Sequence, residues 1–67
     1  MTRYRLQPGT NKNIYHILTA HDDGKFTVTF HGNDRENEYE ASIDEDGRIV
    51  GEGFIFPQLG DKRWTVI

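Results

Sequence analysis

Carboxylates are the residues of this chain with the most chemistry to offer. Residues 34 to 46 hold Asp34, Glu36, Glu38, Glu40, Asp44, Glu45 and Asp46 against a single base, Arg35. Two carboxylates held close together can trade protons in general acid–base catalysis, and the strand register derived below would set Glu40 opposite Glu52. A chain of 67 residues offers little pocket from which to exclude water, so no enzymatic activity and no catalytic residue is expected. His16, His21 and His31 fall on different parts of the expected register. No HExxH motif or zinc-ligand spacing joins them. Ser42 is the only serine, with no histidine and acid placed for a triad. Asp44-Glu45-Asp46-Gly47 resembles part of a calcium loop but lacks the full spacing and the closing bidentate glutamate. It reads as a turn. Cysteine is absent, which removes disulfides and thiolate sites. No metal and no cofactor are expected.

The same acids suit binding better than catalysis. On a strand, Glu36, Glu38 and Glu40 share one face at about 6.8 Å spacing, twice the rise per residue. Like charges directly opposed on a sheet cost about 0.2–1 kcal/mol. A ridge that keeps them, extended by Asp44 and Glu52, fits a protein partner with a basic surface, or mimicry of nucleic-acid phosphates in a basic groove. The competing reading is a solvated edge whose charges discourage aggregation. A second candidate surface is aromatic: Phe54, Phe56 and Trp64, which either fill the core or form an apolar patch rimmed by acids. The third is basic: Arg3, Arg5, Lys12, Lys62 and Arg63, near the two termini. With the aromatics these could bind nucleic acid. The net charge of −3 and pI of about 5.4 argue against that alternative.

Strands must position these groups. His21-Asp22-Asp23-Gly24-Lys25 and Asp44-Glu45-Asp46-Gly47-Arg48 each place Asp-Gly between alternating apolar and polar runs, a strong hairpin signal. The expected geometry is a type I turn followed by glycine in the left-handed region, forming a bulge. If His21 faces Lys25, then Ala20 faces Phe26, Leu18 faces Val28 and His16 faces Phe30 on one side. Thr19 with Thr27 and Ile17 with Thr29 fall on the other. A slip of one residue would reverse every side chain, so the agreement is informative. Residues 13–21 also fit a short helix capped by Asn13, which gives an α+β alternative; the register favours the strand.

The second turn sets Asp44 opposite Arg48 and Ile43 opposite Ile49. Continued, it sets Ala41 against Gly51, Glu40 against Glu52 and Tyr39 against Gly53. The Tyr39 ring would then cover the strand glycines, and Phe54 would face outward with Val50. Tyr39, Ala41 and Ile43 are expected to face inward. Residues 1–6 and 63–67 are expected to be terminal strands, with loops over 7–13 and 58–62 and a polar connection over 32–37.

The expected fold is one all-β domain over 1–67, a small antiparallel meander of five or six strands that curls into a partly open barrel. Its outline is similar to small SH3-like or OB-like barrels, a likeness that implies no particular activity. The expected function is a non-enzymatic acidic β module that binds, and inhibits or regulates, another protein. Small size and acidity point to an origin in a phage or mobile element, which would use such a domain against host machinery. A structural or assembly subunit that completes its sheet with a neighbour's edge is the other alternative, since exposed edges allow self-association. No apolar run is long enough for a signal peptide or a membrane span, so a soluble cytoplasmic protein is expected.

Overall fold

The computed structural model describes residues 1–32 and 34–67. The described residues form seven strands and no helix: β1 (Thr2–Leu6), β2 (Tyr15–Ala20), β3 (Phe26–Gly32), β4 (Arg35–Ile43), β5 (Ile49–Gly51), β6 (Phe54–Phe56) and β7 (Thr65–Val66). They make one antiparallel sheet in the order β6-β5-β4-β3-β2-β1-β7. The first six follow each other as a meander. The last crosses to the far side and pairs with β1, Tyr4 opposite Val66 and Arg5 opposite Thr65.

Both Asp-Gly corners have the expected form. His21 N–H donates to Lys25 C=O at 2.9 Å and Gly24 N–H to His21 C=O at 3.1 Å; Gly24 has φ +87°. Asp44 N–H donates to Arg48 C=O at 2.9 Å and Gly47 N–H to Asp44 C=O at 3.0 Å; Gly47 has φ +81°. Aspartate carboxylates hold both corners from the side chain. Asp23 accepts Lys25 N–H, and Asp44 accepts the N–H groups of Asp46 and Arg48. The first corner sets every pair of the expected β2–β3 register, including Leu18 opposite Val28 and His16 opposite Phe30. Residues 15–20 are therefore strand, and the helical alternative falls.

Two expectations are corrected. The polar connection placed over Gly32–Asn37 is shorter. Gly32 pairs with Arg35, so Arg35 to Asn37 already belong to β4. Asp34, at φ +68°, supplies left-handed backbone that aspartate tolerates; position 33 lies outside the described residues. The second correction is at Glu52 and Gly53. These form a turn, with Gly53 at φ +83°, and not the continuation of a strand. Gly51 pairs with Phe54 and Ile49 with Phe56. This extra reversal makes seven strands from the expected five or six.

The sheet curls because its ends are tied. A flat sheet of seven strands would separate β6 from β7 by about 29 Å at about 4.8 Å per step. The connection over residues 57–64 is itself folded, by Asp61 N–H to Gln58 C=O and Trp64 N–H to Asp61 C=O. Trp64 Nε1 donates to Pro57 C=O at 2.7 Å, and its ring meets Phe56 at 5.9 Å between centroids. The result is a half-barrel around Leu6, Leu18, Val28, Ile49 and Trp64, which are all buried. Phe26, Phe30, Phe54 and Phe56 pack around them.

Candidate functional site

Register fixes which side chains share each face. On the concave face lie Leu18, Val28 and Phe30, with the β5–β6 hairpin laid over them: Phe30 meets Phe54 at 5.5 Å and Phe56 at 5.7 Å. On the outer face one cross-strand row runs Arg5, Ile17, Thr29, Glu38, and the next runs Arg3, Thr19, Thr27, Glu40. A third begins at Tyr15 and runs through His31 to Glu36. Charge therefore changes sign across the face, from arginines on β1 to glutamates on β4. A shallow trough of about 500 Å³ lies between Arg3 and Arg5 on one side and Glu36 and Glu38 on the other. Thr19 and Thr29 are buried in its floor, and Tyr15 stacks on His31 at 4.6 Å.

The five acids expected to form one ridge divide into three groups. Glu36, Glu38 and Glu40 do stand together on the outer face of β4, all exposed. Asp44 is committed to its corner. Partial burial pushes its carboxyl up, but the N–H groups of Arg48 and Asp46 and the Arg48 guanidinium outweigh this and hold it below its ordinary value. Arg48 Nε lies 3.1 Å from Asp44 Oδ2. Glu52 sits in the turn between β5 and β6, so the expected Glu40–Glu52 opposition does not form. Only Ser42 and Ile43 of β4 pair with β5 before the chain turns away.

The aromatic candidates belong to the interior. Trp64 is 7% exposed, and Phe54 and Phe56 pack against the core. Strand parity alone predicts Phe54 outward with Val50; the Glu52–Gly53 turn reverses that parity, and Ile55 takes the outward place at 64% exposed. The ring that covers the strand glycine is that of Phe54, not Tyr39. A Cβ on Gly51 would fall inside it. Tyr39 leans on Phe30 at 5.4 Å and Phe54 at 6.2 Å, yet stays 46% exposed, as does Ile43.

The basic candidates do not gather in one place: Arg3 and Arg5 line the outer trough, whereas Arg63 lies beside Asp46 and Arg48, and several are engaged. Arg5 lies 4.5 Å from the Tyr15 ring centroid and donates to Lys12 C=O at 3.1 Å. Arg63 donates three bonds of 2.9 Å to Asp61, two from its guanidinium and one from its backbone N–H. That pair pulls the Asp61 carboxyl well below the carboxylate range. Arg3, Lys12 and Lys62 remain exposed.

The three histidines are dispersed. His16 packs between Phe30 at 4.6 Å and Phe56 at 4.9 Å. Burial, and then the nearby charge of His31, lower its pKa, and its Nδ1 has no hydrogen-bond partner among the described residues. His21 Nε2 shares a 2.9 Å hydrogen bond with Thr27 Oγ1. No group of three metal-ligating side chains forms among the described residues.

Sequence reasoning missed a backbone feature. The corner bond between Asp44 and Arg48 makes even-numbered residues of β4 face β5. The corner between His21 and Lys25, carried through β2 and β3, makes odd-numbered residues of β4 bond to β3. Antiparallel ladders alternate in this way. The N–H and C=O groups of Glu36, Glu38 and Glu40 therefore point to the side where β5 would continue, and no described strand pairs with them. Even with the turns located, the sequence signal was thin, because the reversal at Glu52–Gly53 is what clears that edge. Comparison with known protein families, characterised proteins and solved structures finds no match. Among the described residues no helix is long and apolar enough to cross a membrane.

Proposed function

We propose that this domain is a non-enzymatic protein-binding module whose contact surface is the glutamate row of β4. The observation that carries the reading is the exposure of Glu36, Glu38 and Glu40 on one face with, among the described residues, no lysine or arginine paired opposite them. Their cross-strand neighbours are His31, Thr29 and Thr27. Arg5 lies on β1, three strands from Glu38, about 14 Å away at the usual strand spacing. Among the described residues no ion pair engages Glu36, Glu38 or Glu40, so the row is open to an external cation. The partner is a protein that presents basic side chains, and occupying its basic surface would inhibit or regulate it. The layout of bases supports a protein partner over nucleic acid: a phosphate backbone following Arg3 and Arg5 into the trough would meet Glu36 and Glu38.

The test compares the wild-type domain with a Glu36→Lys/Glu38→Lys/Glu40→Lys variant and an Arg3→Glu/Arg5→Glu variant. Each is immobilised and used to capture proteins from lysate of the native host, read by mass spectrometry. Basic proteins retained by the wild type should be lost with the first variant and kept by the second. An unchanged set on the first variant overturns the reading.

A further inference from the structure

The open side of β4 is a sheet edge, and its two faces differ. Backbone N–H and C=O groups of Glu36, Glu38 and Glu40 form its ladder, which has no partner strand among the described residues. Side chains of these residues stand on the outer face. On the opposite face the same strand carries Tyr39, a residue 46% exposed whose ring lies beside Phe54. An added strand would thus meet carboxylates on one face and an aromatic ring on the other. Directly opposed residues of paired strands lie side by side on one face. Each residue opposite a glutamate would exchange both backbone bonds with it and project its own side chain next to the carboxylate.

We propose that the β4 edge takes up an extended peptide segment in which basic residues alternate with apolar ones, adding it to the sheet as an eighth strand. Basic residues recur every second position and match the glutamate spacing of about 6.8 Å. The apolar residues between them lie against Tyr39. A second copy of this chain is the wrong occupant: pairing β4 with itself sets glutamate against glutamate, which a sheet penalises. The proposal rests on the protein-binding reading above and adds to it a mode and a sequence class.

The probe is a seven-residue blocked synthetic peptide with lysine at its second, fourth and sixth positions and valine between. Binding is measured by fluorescence anisotropy at low salt, and amide exchange of the domain by NMR. Three comparison peptides carry the same charge: one with the lysines in a block, one N-methylated at the lysine nitrogens, and one N-methylated at the intervening nitrogens. The expected result is binding of the alternating peptide with slowed exchange at Glu36, Glu38 and Glu40. Lysine N-methylation should weaken it at least tenfold, because those nitrogens face the edge; methylation between them should change it less than twofold. Equal binding of all four peptides without amide protection overturns strand addition and leaves the charge-based reading standing. Failure of every peptide to bind at low salt overturns both.

Discussion

Two neighbouring proline substitutions test the edge assignment without any ligand. Asn37→Pro removes an N–H that bonds to Phe30 across the β3–β4 ladder. Glu38→Pro removes an N–H that points to the open side. In a sheet, proline is tolerated only where the missing N–H faced solvent. Loss of the ladder bond at Asn37 strands the Phe30 carbonyl, at a cost of about 1–3 kcal/mol. At Glu38 only the dihedral adjustment remains, and stability should stay within about 1 kcal/mol of wild type. A small domain has an m-value of about 1 kcal/mol per molar urea. The Asn37→Pro midpoint should therefore fall by about 1–3 M and the Glu38→Pro midpoint by less than about 1 M. Circular dichroism during urea titration reads both, with Asn37→Ala and Glu38→Ala as controls for the side chains. A domain of this size holds only a few kcal/mol, so partial unfolding of Asn37→Pro in plain buffer agrees with the argument. Equal losses, or a larger loss at Glu38, would refute the parity derived from the two corners, and the open edge with it.

Two further predictions concern packing and pH. Gly51→Ala should cost about 1–3 kcal/mol by overpacking against the Phe54 ring. In a Phe54→Ala background the same change should cost nearly nothing, so a double-mutant cycle by denaturation that returns additive effects rejects the contact. His16 has a folded-state pKa below its ordinary 6.5 because it is buried, with His31 adding to the effect. The unfolded chain then binds more protons between that lowered value and 6.5, so stability is full above 6.5 and falls as pH drops through the window. His16→Phe should flatten this part of the pH–stability curve; an unchanged slope would assign it to other groups.

The two corners were legible because their chemistry is local. Aspartate side chains capture nearby N–H groups and glycine takes the positive φ, so Asp22 to Gly24 and Asp44 to Gly47 fold within a few residues. Each then propagates a register, and the alternation of Phe26, Val28 and Phe30 with threonines decides which side is buried. The Glu52–Gly53 turn carried a weaker signal. Gly51 and Gly53 looked like bend points in one strand, and no aspartate marks the reversal. Charged and amide residues have low strand propensity, so Arg35 to Asn37 suggest a loop; pairing with β3 overrides it.

The candidate site divides the same way. That Glu36, Glu38 and Glu40 share a face follows from the period of two along any strand, and so does their separation from Tyr39. Sequence alone therefore determined the class of fold, the β2–β3 register and the row of acids. Tertiary structure decided which acids stand apart from that row: it sent Asp44 into its corner and Glu52 to a separate turn. It also decided that Phe54 faces the core and that β4 keeps an unpaired edge. Those outcomes depend on where β5 stops following β4 and folds over Phe30. That is a competition between continuing a ladder and burying aromatic rings, settled by contacts between residues far apart in the chain.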